Sequence, residues 1–164
     1  MINKPFFKET KAYFENLCSS TSKIKTFVPN SERALINALK EATEESYPFL
    51  VLTEYEGKIS GNNQRTLGPR KLTFMILFNG PVDDPEAQQD LKDLAESYGL
   101  NVLAKIDLDC ITVESDHWLK SAFLKDNTTY SDVEFAEYKN LFGMEFNIEL
   151  NLKNALKYDI DFWK

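Results

Sequence analysis

The sequence predicts a single α+β domain over residues 1–164: a two-layer fold in which a mainly antiparallel four-stranded sheet has its helices packed on one face. Three observations predict it. Residues 48–58 (PFLVLTEYEGK) and 71–79 (KLTFMILFN) are apolar runs of strand length, separated by a Gly-, Asn- and Pro-rich stretch in the manner of a hairpin. Residues 84–110 keep one helical period without a break in spacing. From residue 142 to 152, Phe142, Met144, Phe146, Ile148, Leu150 and Leu152 alternate strictly with Gly143, Glu145, Asn147, Glu149 and Asn151, so one face of that strand is buried and the other wet.

Taken in chain order, the first element is a helix over residues 4–17. Phe6, Phe7, Thr10, Tyr13, Phe14 and Leu17 fall on one helical face, Asn3 is an available N-cap, and Pro5 is tolerated in the first turn. Residues 19–22 break it, and Ile24 and Phe27 form an apolar anchor before Pro29. A second helix over residues 31–46 is capped by Ser31 and carries Leu35, Ile36, Leu39 and Ala42 opposite Glu41, Glu44 and Glu45. Pro48 then forces an extended entry to the first strand. The strand over residues 71–79 is apolar at nearly every position and reads as central, covered on both faces. Between the two strands, residues 59–70 (ISGNNQRTLGPR) read as a long polar loop, well beyond the ~2–5 residues of common hairpins.

Asp84-Pro85 starts the long helix, whose stripe is Leu91, Leu94, Ala95, Tyr98, Val102, Leu103, Ile106 and Cys110. Gly99 lies inside it, either accommodated in one continuous helix or acting as a C-cap between two. Residues 111–127 carry no clear period. A strand over residues 130–138 pairs with the alternating one, and residues 154–164 form a tail whose Tyr158, Ile160, Phe162 and Trp163 pack on the body or on a neighbouring subunit.

At 43% apolar and 27% charged residues, with no repeat or low-complexity tract, the chain supports an ordinary folded core. The 26 acidic against 19 basic residues give a net charge of −7, which repels a phosphate backbone, so nucleic acid is not expected as a direct partner. Cys18 and Cys110 sit in no metal or disulfide spacing, which suits a reducing cytoplasm. The opening residues have no apolar signal region and no stretch approaches the ~20 apolar residues of a membrane span, so neither export nor a membrane is expected.

Candidate chemistry is sparse. The lone His117 follows Asp116, which would orient an imidazole for proton transfer, but no nucleophile is near in sequence and a capping or surface role accounts for it. Asp107, Asp109, Glu114 and Asp116 offer oxygen ligands without the spacing of a calcium loop, so they read as a solvated acidic connection. Glu56-Gly57-Lys58 matches the Glu-x-Lys half of a metal-dependent nuclease site, which would need an aspartate on an adjoining strand. Gly61 and Gly68 lack the Gly-Lys-Ser/Thr ending and the following helix of a phosphate loop. No catalytic residue, metal or cofactor is therefore expected, and the chain reads as a non-enzyme. The candidate interface is instead the polar stretch with Asn62, Asn63, Gln64, Arg65, Thr66, Arg70 and Lys71, locally basic within an acidic protein and suited to an acidic surface on a neighbour. A second candidate interface is the tail, through Tyr158, Phe162 and Trp163.

The order of elements resembles the small tail-terminator and tail-completion proteins of tailed bacteriophages and prophages. The residues that carry the resemblance are Ala12-Tyr13-Phe14-Glu15-Asn16-Leu17, the link Ile24-Lys25-Thr26-Phe27, and Tyr47-Pro48-Phe49-Leu50-Val51-Leu52 leading a strand pair into a helix. The closing Asn140-Leu141-Phe142-Gly143-Met144-Glu145-Phe146-Asn147-Ile148-Glu149-Leu150, with Tyr158-Asp159 and Trp163, is similar to chain ends in structural proteins of phages from Bacteroidetes-type hosts. The resemblance implies a structural subunit, made in the bacterial host cytoplasm and located in the virion. It would form a ring with copies of itself, typically a hexamer, that ends the tail tube and joins it to neck or connector proteins. The second helix and the apolar tail are departures from that pattern, which keeps another neck or connector position open. The residues themselves leave two further alternatives, a small acidic adaptor for a basic protein partner and a metal-dependent nuclease.

Overall fold

The computed structural model describes residues 6–29, 32–62, 65–135 and 140–152; the side chains of Glu32, of residues 60–67 and of Leu152 lie outside that description. The elements are α1 (Phe7–Ser19), β1 (Thr26–Val28), α2 (Glu32–Glu41), β2 (Phe49–Gly57), β3 (Ser60–Asn62), β4 (Arg65–Asn79), α3 (Pro85–Thr112), β5 (Thr129–Phe135) and β6 (Leu141–Leu152). The α+β class holds, but the sheet is mixed and five strands wide rather than four. Its order is β1-β2-β4-β6-β5, with β3 paired to the outer end of β4. The additional strand is β1, which runs parallel to β2 with Phe27 opposite Leu50. All other pairs are antiparallel.

β4 is the central strand, as its unbroken apolar run predicts. It pairs with β2 from Leu77 to Arg70 and with β6 from Asn79 to Gly68, and Leu72 to Phe78 are all buried. The alternation of β6 is realised in register: Phe142, Met144, Phe146, Ile148 and Leu150 are buried, while Glu145, Asn147 and Glu149 are half-exposed.

The helices do not share one face of the sheet. One cluster joins Phe14 and Leu17 of α1, and Ala95, Val102, Ile106 and Cys110 of α3, to Leu52, Phe74, Phe146 and Ile148. A second, smaller cluster on the other face joins Leu39 of α2 to Phe49, Val51, Met75, Leu77 and Leu141, flanked by Ala34, Leu35 and Ala38. Strand period explains the split, because Val51 and Leu52 or Met75 and Phe74 point to opposite sides. The apolar first half of β2 and the second half of β4 need cover on both faces, and α2 supplies it on the second. Further along, the same second face is polar. Thr73 Oγ1 donates to Asn147 Oδ1 at 2.7 Å, and Asn147 Nδ2 donates to Glu145 at 3.3 Å.

Helix α3 is one continuous element through Gly99. Asp84 Oδ1 accepts the Ala87 amide at 3.0 Å and Pro85 occupies the first turn. At its other end the Lys120 ammonium binds the carbonyls of Ile111 and Val113, a cation placed on the negative end of the helix dipole. Gly99 is buried, and a methyl group there would overlap the ring of Phe146. Phe146 in turn stacks on Phe74 at 4.9 Å between centroids. The glycine is therefore a docking notch for an aromatic side chain and not a helix stop.

Removing the ring in Phe146→Ala is expected to cost about 3–5 kcal/mol in denaturant melts. Gly99→Ala alone is expected to cost about 1–3 kcal/mol by overpacking. In the Phe146→Ala background the sign should reverse, because the overlap is gone and the helix-propensity gain of up to ~1 kcal/mol remains. Equal effects of Gly99→Ala in both backgrounds would show that the ring does not seat on the glycine.

Candidate functional site

Two surfaces stand out: a hairpin arm and a groove at the C-terminal end of α3. The stretch read as a long loop over residues 59–70 is instead the continuation of the hairpin. Lys58 donates its amide to the Pro69 carbonyl at 2.9 Å, and Ser60, Gly61 and Asn62 pair with Leu67, Thr66 and Arg65. Density of Gly, Asn and Pro favours turns, but the strand ladder continues through this composition on both sides of Asn63 and Gln64, which lie outside the described residues. The backbones of Asn62, Arg65 and Thr66 are therefore strand, and their side chains are not described. At ~3.4 Å per residue, β4 alone is about 50 Å long.

Arg70 is not a free cation on this arm. Its Nε donates to the Tyr55 hydroxyl at 3.2 Å, and its Nη1 donates to the carbonyls of Pro69 at 3.2 Å and Lys58 at 3.4 Å. The guanidinium lies against Gly57, where a Cβ would press on it at 3.2 Å. It braces the base of the arm. Lys71 is exposed and stands in register between Glu56 of β2 and Glu149 of β6, and Lys58 is exposed one turn of strand further out. The residue opposite Glu56 on the adjoining strand is thus a lysine where a Glu-x-Lys nuclease centre needs an aspartate. Tyr158, Phe162 and Trp163 lie outside the described residues.

The groove, about 850 Å³, is formed where the first half of α1 meets the turn after α3, and is lined by Glu9, Tyr13, Glu114, Asp116, His117 and Trp118 among others. Aromatic contacts build its floor. Trp118 meets Phe6 at 6.2 Å and the edge of Tyr13 at 6.0 Å, and the His117 ring lies against Trp118 at 5.9 Å. Tyr13 donates its hydroxyl to Asp109 Oδ2 at 2.9 Å, joining residues 96 positions apart, and Lys105 pairs with the other oxygen of the same carboxylate. Burial, reinforced by the hydrogen bond and charge of Asp109, raises the phenol pKa of Tyr13 well above its ordinary value.

The sequence candidates near this groove separate into distinct roles. His117 accepts the Leu119 amide on Nδ1 at 3.2 Å, so it caps the turn that places Trp118. Asp107 pairs with Lys125 at 2.7 Å and Asp109 holds Tyr13, while Glu114 and Asp116 stay exposed on the groove edge. Among the described residues no three His, Cys, Asp or Glu side chains converge as metal ligands. Cys18 and Cys110 are free and buried, and burial raises both thiol pKa values. No described helix is long and apolar enough to cross a membrane. The groove itself escaped the sequence because its walls, Glu9 to Asn16 and Thr112 to Trp118, are far apart along the chain; the period of Tyr13 predicts only that it faces inward.

Linkage gives a pH test of the Tyr13 contact. A phenol whose pKa is raised on folding contributes stability that is intact below its unfolded value near 10 and is lost as pH rises toward the folded one. The unfolding free energy should fall above pH ~10, and fall less steeply in Tyr13→Phe, while Tyr13→Phe at pH 7 costs about 0.5–1.5 kcal/mol. Parallel pH profiles for the two proteins would show that Tyr13 does not hold Asp109. In comparisons with protein-family models and with characterised proteins, no match to this chain is found.

Proposed function

We propose that this chain is a non-enzymatic structural subunit of a tailed-phage particle, forming a ring at the head-proximal end of the tail that terminates the tube and joins it to the neck. The observation that carries the reading is the pairing of a donor and an acceptor on one chain: a cationic hairpin arm with Lys58, Arg65 and Lys71, and an acidic, aromatic groove with Glu114, Asp116 and Trp118. Two different complementary patches make a head-to-tail contact, and such contacts close into rings when the rotation permits. The two patches flank the start of α1, with Phe7 edge-on to Tyr55 at the base of the arm and Phe6 against Trp118. Arg and Lys over a tryptophan face, with carboxylates at the rim, is a favourable setting for an inserted cation.

In this reading the arm of one copy lies in the groove of the next, and the closed ring, expected to be a hexamer, docks on tail-tube and connector proteins. The same groove supports a second reading, a small acidic adaptor that captures a basic partner and remains monomeric.

Native mass spectrometry at low and high ionic strength separates them. The ring reading expects multiples of the chain culminating in a closed species at low salt, weakened by screening as the ~10 Å Debye length of 0.1 M salt is reached. Lys58→Glu with Lys71→Glu should abolish it with stability changed by less than ~0.5 kcal/mol, since both are surface sites. Mixing that protein with Glu114→Lys, Asp116→Lys chains should restore association across the reversed contact. Arg70→Glu, in contrast, should lower stability itself, by about 1–3 kcal/mol, through loss of the brace. A chain that is monomeric in every condition, with and without tail tubes, overturns the ring.

A further inference from the structure

We propose that the outer edge of β2, from Glu54 to Gly57, is a strand-addition site for an extended segment of another protein in which basic and apolar residues alternate. This goes beyond the ring reading and does not rest on it. β1 covers only the start of β2, pairing Thr26, Phe27 and Val28 with Phe49, Leu50 and Val51, and Pro29 follows with no amide to extend the ladder. Beyond that point β2 runs on to Gly57 bonded to β4 on its inner side, and no described residue pairs with its outer side. Lys58 donates its amide inward to the Pro69 carbonyl. Antiparallel alternation therefore turns the backbone of Glu56 and Glu54 inward as well, and that of Tyr55 and Gly57 outward. Two amides and two carbonyls stand in a row, open to a further strand. The Arg70 brace, through Tyr55, Lys58 and Pro69, holds this row in strand geometry, so little ordering is left to be done on binding.

Side chains along the edge decide which strand fits. Glu54 and Glu56 are exposed on the face they share with their register partners Thr73 and Lys71, and Glu54 has one long contact, from Thr73 Oγ1 at 3.5 Å. Among the described residues no ion pair engages either carboxylate. On the other face Tyr55 stands edge-on to Phe7, which is 42% exposed. Side chains directly opposite one another on paired strands lie ~4.5–5.5 Å apart, so the strand that fits sets cations against Glu54 and Glu56 and apolar side chains beside Tyr55 and Phe7. Main-chain bonds give such an addition its affinity and the alternate side chains its specificity. The carboxylates that select a cationic strand also reject an indiscriminate apolar one. The same edge of a second copy is a poor occupant, because it brings Glu54 and Glu56 of its own.

Amide NMR on the isotope-labelled full chain, titrated with the capped peptide KVKVKVK, tests the proposal. The peptide reads the same in both directions and so suits either strand polarity. At up to ~2 mM peptide, resonances of residues 53–59 should shift. Hydrogen exchange at Tyr55 and Gly57 should slow about tenfold, as outward amides gain partners. Glu54→Lys combined with Glu56→Lys should weaken the peptide about tenfold and bind EVEVEVE in its place, with the rest of the amide spectrum unchanged. No shift at ~2 mM, equal binding of the block sequence VVVKKKK, or shifts without slower exchange at Tyr55 and Gly57 each overturns the proposal. The experiment alters no residue on which the ring reading rests, so the two stand or fall separately.

Discussion

The pairing of β4 along both of its edges is the constraint on which the other elements depend. A strand bonded on either side cannot slide without breaking two ladders. Its period-2 side chains fix which neighbours face which layer. Phe74 and Ile76 on one face demand the long cover of α3 and α1, and Met75 and Leu77 on the other demand α2. β4 runs on past its pairing with β2 and β6, and the backbone of its first residues, Arg65 to Leu67, pairs with β3 as one side of the arm. Core and arm are thus the two ends of one rigid strand, and the arm inherits its direction from the sheet.

Within that frame, local devices set the details. The Gly99 notch brings α3 close enough for Phe146 to stack on Phe74, which ties helix, edge-side strand and central strand at one point. Arg70 satisfies two carbonyls and a phenol at the place where β2 ends and the arm begins. Lys120 and His117 close the turn after α3, and this turn carries Trp118 back onto α1. Arg70, Lys120 and His117 are polar side chains completing backbone groups that the regular elements leave open.

Much of the fold was legible in the sequence because it is written in local periods. The alternation from Phe142, the apolar run from Leu72 and the stripe through Gly99 all describe the observed elements. What was not legible depends on contacts between distant residues. β1 is three residues long, too short for any period, and exists because β2 lies beside it. The stripe of Leu35 and Leu39 says that α2 buries one side but not which face of the sheet receives it. Residues 59–70 carry loop composition, yet the backbones of Ser60 to Asn62 pair with those of Arg65 to Leu67. The candidate groove needs Tyr13 beside Asp109, and nothing local to either residue announces the other. Basic residues near a turn were visible, but only the geometry distinguishes the bracing Arg70 from the exposed Lys71.

The outer strands of the described sheet have a consequence for how such a chain survives crowded synthesis. β1 stops after three residues, at Pro29, which has no amide to offer a further ladder. β5 at the other margin carries Asp132 and Glu134, both held by Lys92 at 2.9 and 3.8 Å. Short length, proline and paired charge all discourage a stray strand from adding to the sheet. Lateral addition of a further strand, the first step of polymerisation of the amyloid kind, is thereby disfavoured at β1 and at β5, and copies of the chain can stand close together without those two edges seeding one another.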